Sequence, residues 1–139
     1  MIETALRIAD AAGTEAAPVT TALRQAMAGR APEDFQHHMG WVLIALQNAF
    51  YHLAAGTGVQ PALIATVGQG GDTDTNAAIA GALLGSADGR SSLPMRWIMP
   101  VLTCRPDPAL HSARPRPDDY WPDDILDLTE ALLLRRTPS

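Results

Sequence analysis

Apolar side chains along this chain recur every three or four residues, the spacing of helices that bury one face. Ile2, Leu6 and Ala9 share one side of a first short helix that Gly13 stops, and Pro18 opens a second running to about Ala28. Pro32-Glu33-Asp34 begins the longest periodic stretch, Phe35 to Ala55, in which Trp41, Ile44, Ala45, Asn48 and His52 fall near helical spacing. Almost every position from Trp41 to Leu53 is apolar, which predicts a central helix covered on several sides. Gly56-Thr57-Gly58 ends it. A short helix over Val59 to Val67 is broken by Gly68-Gln69-Gly70-Gly71, and another follows from about Asp74 to Ala87. Leu93 to Leu102 is also predicted helical. Pro106, Pro108, Pro115, Pro117 and Pro122 make 105–122 an irregular segment, and Pro122-Asp123-Asp124 restarts a last helix, Ile125 to Arg135. Acidic residues at its start and Arg135-Arg136 at its end suit the helix dipole. Nothing alternates as a strand does, residues 64–67 being the nearest approach, and no repeat occurs. The expected fold is all-α, a multi-helix domain.

Composition narrows the class. The chain has 139 residues, 47% of them hydrophobic, enough for one compact domain with a core. Two Phe and two Tyr leave Ala and Leu to fill that core, which again favours helices. A net charge of −5 supplies no basic stripe, so no nucleic-acid or anionic-membrane partner is expected. Cys104 is the only cysteine; without a partner for a disulfide or zinc site it reads as a small buried hydrophobe. The first residues lack a basic stretch followed by an apolar run, and no window is long enough to span a bilayer. A soluble cytoplasmic protein is the expectation.

One segment is not generic. In Gly70-Gly71-Asp72-Thr73-Asp74-Thr75, two glycines permit a tight turn, and two carboxylates and two hydroxyls then crowd into four residues where a helix begins. Helix capping alone explains one such side chain, since a cap needs a single acceptor. Four oxygen-bearing side chains point instead to a hard cation such as Mg²⁺, Mn²⁺ or Ca²⁺, there being no soft ligand among them. Small residues follow, with Gly81 and Gly85 four apart, a pattern that lets a neighbouring helix come close. The spacing is neither that of an EF-hand nor that of a phosphate-binding P-loop.

Gly70 to Thr75, the small-residue helix after it and Leu93-Pro94-Met95-Arg96-Trp97 together resemble the C-terminal motif of the ADP-ribosylglycohydrolase superfamily. Gly40-Trp41-Val42, the helix after it and the closing helix from Tyr120 to Leu134 sit where that family has them, so the resemblance covers roughly 36–136. It implies hydrolysis of N- or O-glycosidic ADP-ribosyl linkages, on protein or small-molecule substrates, with two divalent cations, Mg²⁺ or Mn²⁺. Asp72, Asp74 and Thr75 match metal ligands, Asp74 bridging the ions; Gly70 and Gly71 would let the backbone close on ADP-ribose. The family's other ligands, a Thr-Asp-Asp cluster and a Glu, lie in an N-terminal half that nothing here matches. The chain thus reads as the C-terminal part of such an enzyme, inactive alone and open to a complementing N-terminal half, with the general acid and base unassigned. The alternative is a catalytically inactive binding or structural relative of the same fold.

Other polar and aromatic residues take plainer readings. Glu33-Asp34 and Asp118-Asp119 read as solvated turns, and His37-His38 as a partly exposed helix start. His52 and His111 have no partner at ligand spacing. Trp41, Trp97 and Trp121 read as core, with stacking on an adenine as the other use of such rings.

Overall fold

The computed structural model describes residues 1–135; Arg136, placed by sequence at the end of the last helix, lies outside them. The fold is all-α, as expected. Seven α-helices are joined by short 3-10 turns, with no strand among the described residues: α1 (Ile2–Ala11), α2 (Ala17–Met27), α3 (Val42–Ala55), α4 (Val59–Gly68), α5 (Thr73–Asp88), α6 (Met95–Leu102) and α7 (Ile125–Leu134). No described helix is long and apolar enough to cross a membrane. The chain forms two compact units, Met1–Leu93 and a second beginning at Pro94.

In the first unit α3 packs against α2 and α5, α4 against α5, and α1 against α2. The contacts are made of small side chains. Ala22 and Ala26 of α2, Ala45 and Ala49 of α3, Ala62 of α4 and Ala80 of α5 are all buried, with Leu23, Ile44, Val59 and Leu84 as the larger core residues. Alanine at a helix crossing brings the two backbones close, so a modest number of bulky groups suffices. Gly81 and Gly85 do not play the part expected of them. A Cβ on Gly81 would meet Leu63 at 3.5 Å, ordinary contact, and one on Gly85 would meet nothing within 4 Å. The buried stripe of α5 is Asn76, Ala80 and Leu84, so the close approach rests on alanine.

The long helix begins later than its periodicity predicts. Residues 35–41 are turns rather than helix, and α3 starts at Val42. Positive φ at His38 (55°) and Gly40 (87°) stops the helix from extending backwards, and Trp41 is extended at the N-cap. At the other end Gly56 closes α3 in the left-handed region, φ 61°. Two polar links, the first of them buried, tie α4 in place. Asn48 Nδ2 donates to Thr66 Oγ1 at 2.9 Å, and the Val59 N–H donates to Asp88 Oδ2 at 3.1 Å.

In the second unit Arg105 organises the irregular segment. Its guanidinium pairs with Asp123, donates to the carbonyls of Leu102 (3.1 Å) and Cys104 (2.8 Å), and lies over the Trp121 ring. Trp121 Nε1 donates in turn to the Arg116 carbonyl at 3.2 Å. The Pro-rich stretch is thus short 3-10 turns held by one cation. Cys104 is exposed, against the reading of it as a buried hydrophobe: α6 ends at Leu102, and the cysteine follows the Thr103 cap.

Candidate functional site

The turn before α5 is built from two glycines in the left-handed region, and the second has no room for a side chain. Gly70 and Gly71 have φ of 77° and 67°. A Cβ on Gly71 would overlap the Phe35 carbonyl oxygen, and one on Gly70 would overlap the Gln36 side-chain amide. The face of the turn where side chains would stand is therefore filled by the chain's own 35–36 segment. That segment is itself fixed. Asp34 Oδ1 accepts from the backbone N–H of Gln36 (2.7 Å) and of His37 (2.9 Å), Phe35 is buried, and Gln36 Nε2 donates to the Gln69 carbonyl at 3.3 Å. The backbone N–H groups of His37 and then Gln36 hold the Asp34 carboxyl below the ordinary carboxylate value. This gives Asp34 of the Glu33-Asp34 pair a turn-locking role.

Asp72 is the N-cap residue of α5, yet its side chain makes no capping bond to the helix. An N-cap bond therefore does not account for Asp72. The Asp72 carboxylate is half-buried beside Gly40, its Oδ2 3.6 Å from where a Cβ on that glycine would lie. Asp74, one residue into the first turn, is exposed, with its carboxyl group beside that of Asp72. The Asp72 side chain, and then the backbone N–H groups of Asp74 and Thr75, keep the Asp74 carboxyl below its ordinary value. Thr75 follows on the exposed side, and Asn76 is buried behind it. The structure thus brings Asp72 and Asp74 together and sets Thr75 next to them. Their donors are hard oxygens, suited to a divalent cation, but among the described residues no set of three or more His, Cys, Asp or Glu forms a metal cluster.

A cleft of about 700 Å³ opens between α2, the 30–38 segment and the start of α3, lined by Arg30, Asp34, His37, His38 and Trp41 among others. Asp72, Asp74 and Thr75 do not line it. Trp41 is 54% exposed, so the core reading fails for this residue: the turn at 37–40 leaves it ahead of the helix rather than on its buried stripe. Trp97 and Trp121 are half-buried, beneath Arg96 and Arg105 respectively. His37 and His38 are exposed, their rings edge to face at 4.1 Å, and His111 is exposed in a turn. His52 is buried with Nδ1 3.4 Å from Thr57 Oγ1, and burial holds its imidazole below the ordinary value. Asp118 and Asp119 sit exposed in a 3-10 turn. Phe35, Gln36 and Gly40 shape the site and were not singled out for it from sequence; the one available signal was the glycine ahead of Trp41.

A family model described as ADP-ribosylglycohydrolase matches residues 1–138, a span that includes α1 and α2 as well as the acidic turn. No curated protein and no solved structure matches the chain.

Proposed function

Because the chain belongs to the ADP-ribosylglycohydrolase family, we propose that it takes part in divalent-cation-dependent hydrolysis of ADP-ribosyl linkages. The observation that carries the reading is the Asp72–Asp74 carboxylate pair at the start of α5, after two glycines of positive φ, the second of which has the Phe35 carbonyl where a side chain would begin. Two carboxylates lie side by side there, Asp72 without a capping bond, an arrangement that a cation would stabilise by neutralising both. Asp72, Asp74 and the Thr75 hydroxyl would hold the ion. Such ions, Mg²⁺ or Mn²⁺, polarise substrate oxygens and lower the pKa of water.

A two-ion site needs more oxygen donors than these three, because each Mg²⁺ or Mn²⁺ seeks near-octahedral coordination. The remaining donors would come from a complementing polypeptide carrying the family's Thr-Asp-Asp cluster. Alone, the 139-residue chain should bind Mn²⁺ weakly and release little ADP-ribose from an ADP-ribosylated peptide. Adding such a polypeptide should restore both, and Asp74→Ala should abolish the rescue. Metal-dependent turnover by the isolated chain would show the shell to be complete without a partner. Rescue undiminished by Asp74→Ala would remove the carboxylate pair from the site.

A further inference from the structure

We propose that Gln36 is a positioning residue for the Asp72–Asp74 pair, acting through the backbone of the glycine turn. The inference rests on the cation reading for its consequence but not for its geometry. The 34–40 segment meets the acidic turn at three successive places: the Gln36 amide at Gln69 and Gly70, the Phe35 carbonyl at Gly71, and Gly40 at the Asp72 carboxylate. Asp72 makes no capping bond to α5, so its orientation depends in part on what braces the turn from outside. Phe35 and Gly71 meet backbone to backbone, a fit that excludes a side chain without binding anything. The Gln36–Gln69 hydrogen bond is the directional link between the segments, which are 33 residues apart in sequence. Asp34 fixes the backbone of Gln36, so the amide is presented from a rigid base. Gln36 is exposed, and a bond at the surface adds little to global stability. Its effect falls on the local geometry of the turn, as with outer partners that orient metal ligands.

The test compares hydrogen exchange and Mn²⁺ affinity in the full chain and in two variants that lose the bond for different reasons. Gln36→Met keeps the length without the donor, and Gln36→Asn keeps the donor without the reach. Amides from Gly70 to Thr75 should exchange about fivefold faster in both, the loss expected for one net hydrogen bond, with α3 and α5 interiors unchanged. Mn²⁺ binding should weaken on the order of tenfold while Tm stays put. Unchanged exchange at the turn, or exchange raised equally throughout the first unit, overturns the proposal. So does equal Mn²⁺ affinity in all three proteins. If the parent chain binds no Mn²⁺ either alone or with the complementing polypeptide, the cation reading fails, and the exchange comparison still decides whether Gln36 braces the turn.

Discussion

At the scale of single residues, glycines in one chain carry opposite burdens. Gly71 combines a left-handed backbone with a Cβ position occupied by the Phe35 carbonyl. Gly71→Ala should therefore cost well over the roughly 1–2 kcal/mol of the backbone conformation alone, since a carbonyl cannot swing aside as a side chain can. Gly81 sits inside α5 with ordinary room toward Leu63, and Gly81→Ala should stabilise by about 0.5–1 kcal/mol. Urea denaturation of the two variants measures both signs. Protonation separates two other residues. Asp74 has its pKa lowered, first by the Asp72 side chain, so what its charge contributes is present above the ordinary 3.8 and lost as pH falls through the lowered value. Asp72→Ala should raise the Asp74 value toward 3.8 in a carbon-13 NMR titration. Burial lowers the pKa of His52, so the unfolded chain takes up a proton first. The stability owed to neutral His52 is whole above 6.5 and shrinks as pH falls below it toward the folded value. The urea midpoint should drop from about pH 8 to about pH 5, and drop less in His52→Gln.

At the scale of elements, the Asn48–Thr66 bond joins α3 to α4 where both side chains are buried. Thr66→Val would leave the Asn48 amide without this acceptor, at a cost of about 1–3 kcal/mol. Adding Asn48→Leu should recover part of that loss, because an unpaired buried amide is worse than none. A double-mutant cycle reads the coupling directly. If the two single costs simply add, the bond is not what holds these helices in register. The same link bears on the site: α4 leads into Gly70 and Gly71, so a firm α4 gives the acidic turn a fixed origin.

At the scale of the whole molecule, the apolar surface is conspicuous. Trp41 and Val42 are exposed at the start of α3, Ile64 and Val67 on α4, and Ile79 on α5 below the acidic turn. A chain with this much uncovered apolar area on central helices should associate with itself or a partner. Sedimentation velocity should show concentration-dependent mass, and Ile79→Lys should reduce it without changing the helical circular-dichroism signal. A strictly monomeric parent at high concentration would count against the surface as an interface.

What the residues determined alone was whatever depends on local spacing and local chemistry. The helical period over Val59 to Val67 and Asp74 to Ala87 put α4 and α5 within a residue of their observed limits, since glycine stops and apolar stripes are properties of the segment itself. The turn made by Gly70 and Gly71, and the acidic residues after it, were legible for the same reason. The start of α3 was not. Phe35 continues the apolar period, but Asp34 binds the Gln36 and His37 amides, and positive φ at His38 and Gly40 breaks the path. Periodicity records which faces are apolar and is silent about a side chain that competes for the backbone. Trp41 and Cys104 went the same way: both types are usually buried, and only the ends of α3 and α6 decided that these two are not. The role of Gln36 lay furthest from the sequence. Its partner is 33 residues away, and a glutamine in a polar turn carries no mark of the carbonyl it will meet once α3, α4 and α5 have packed.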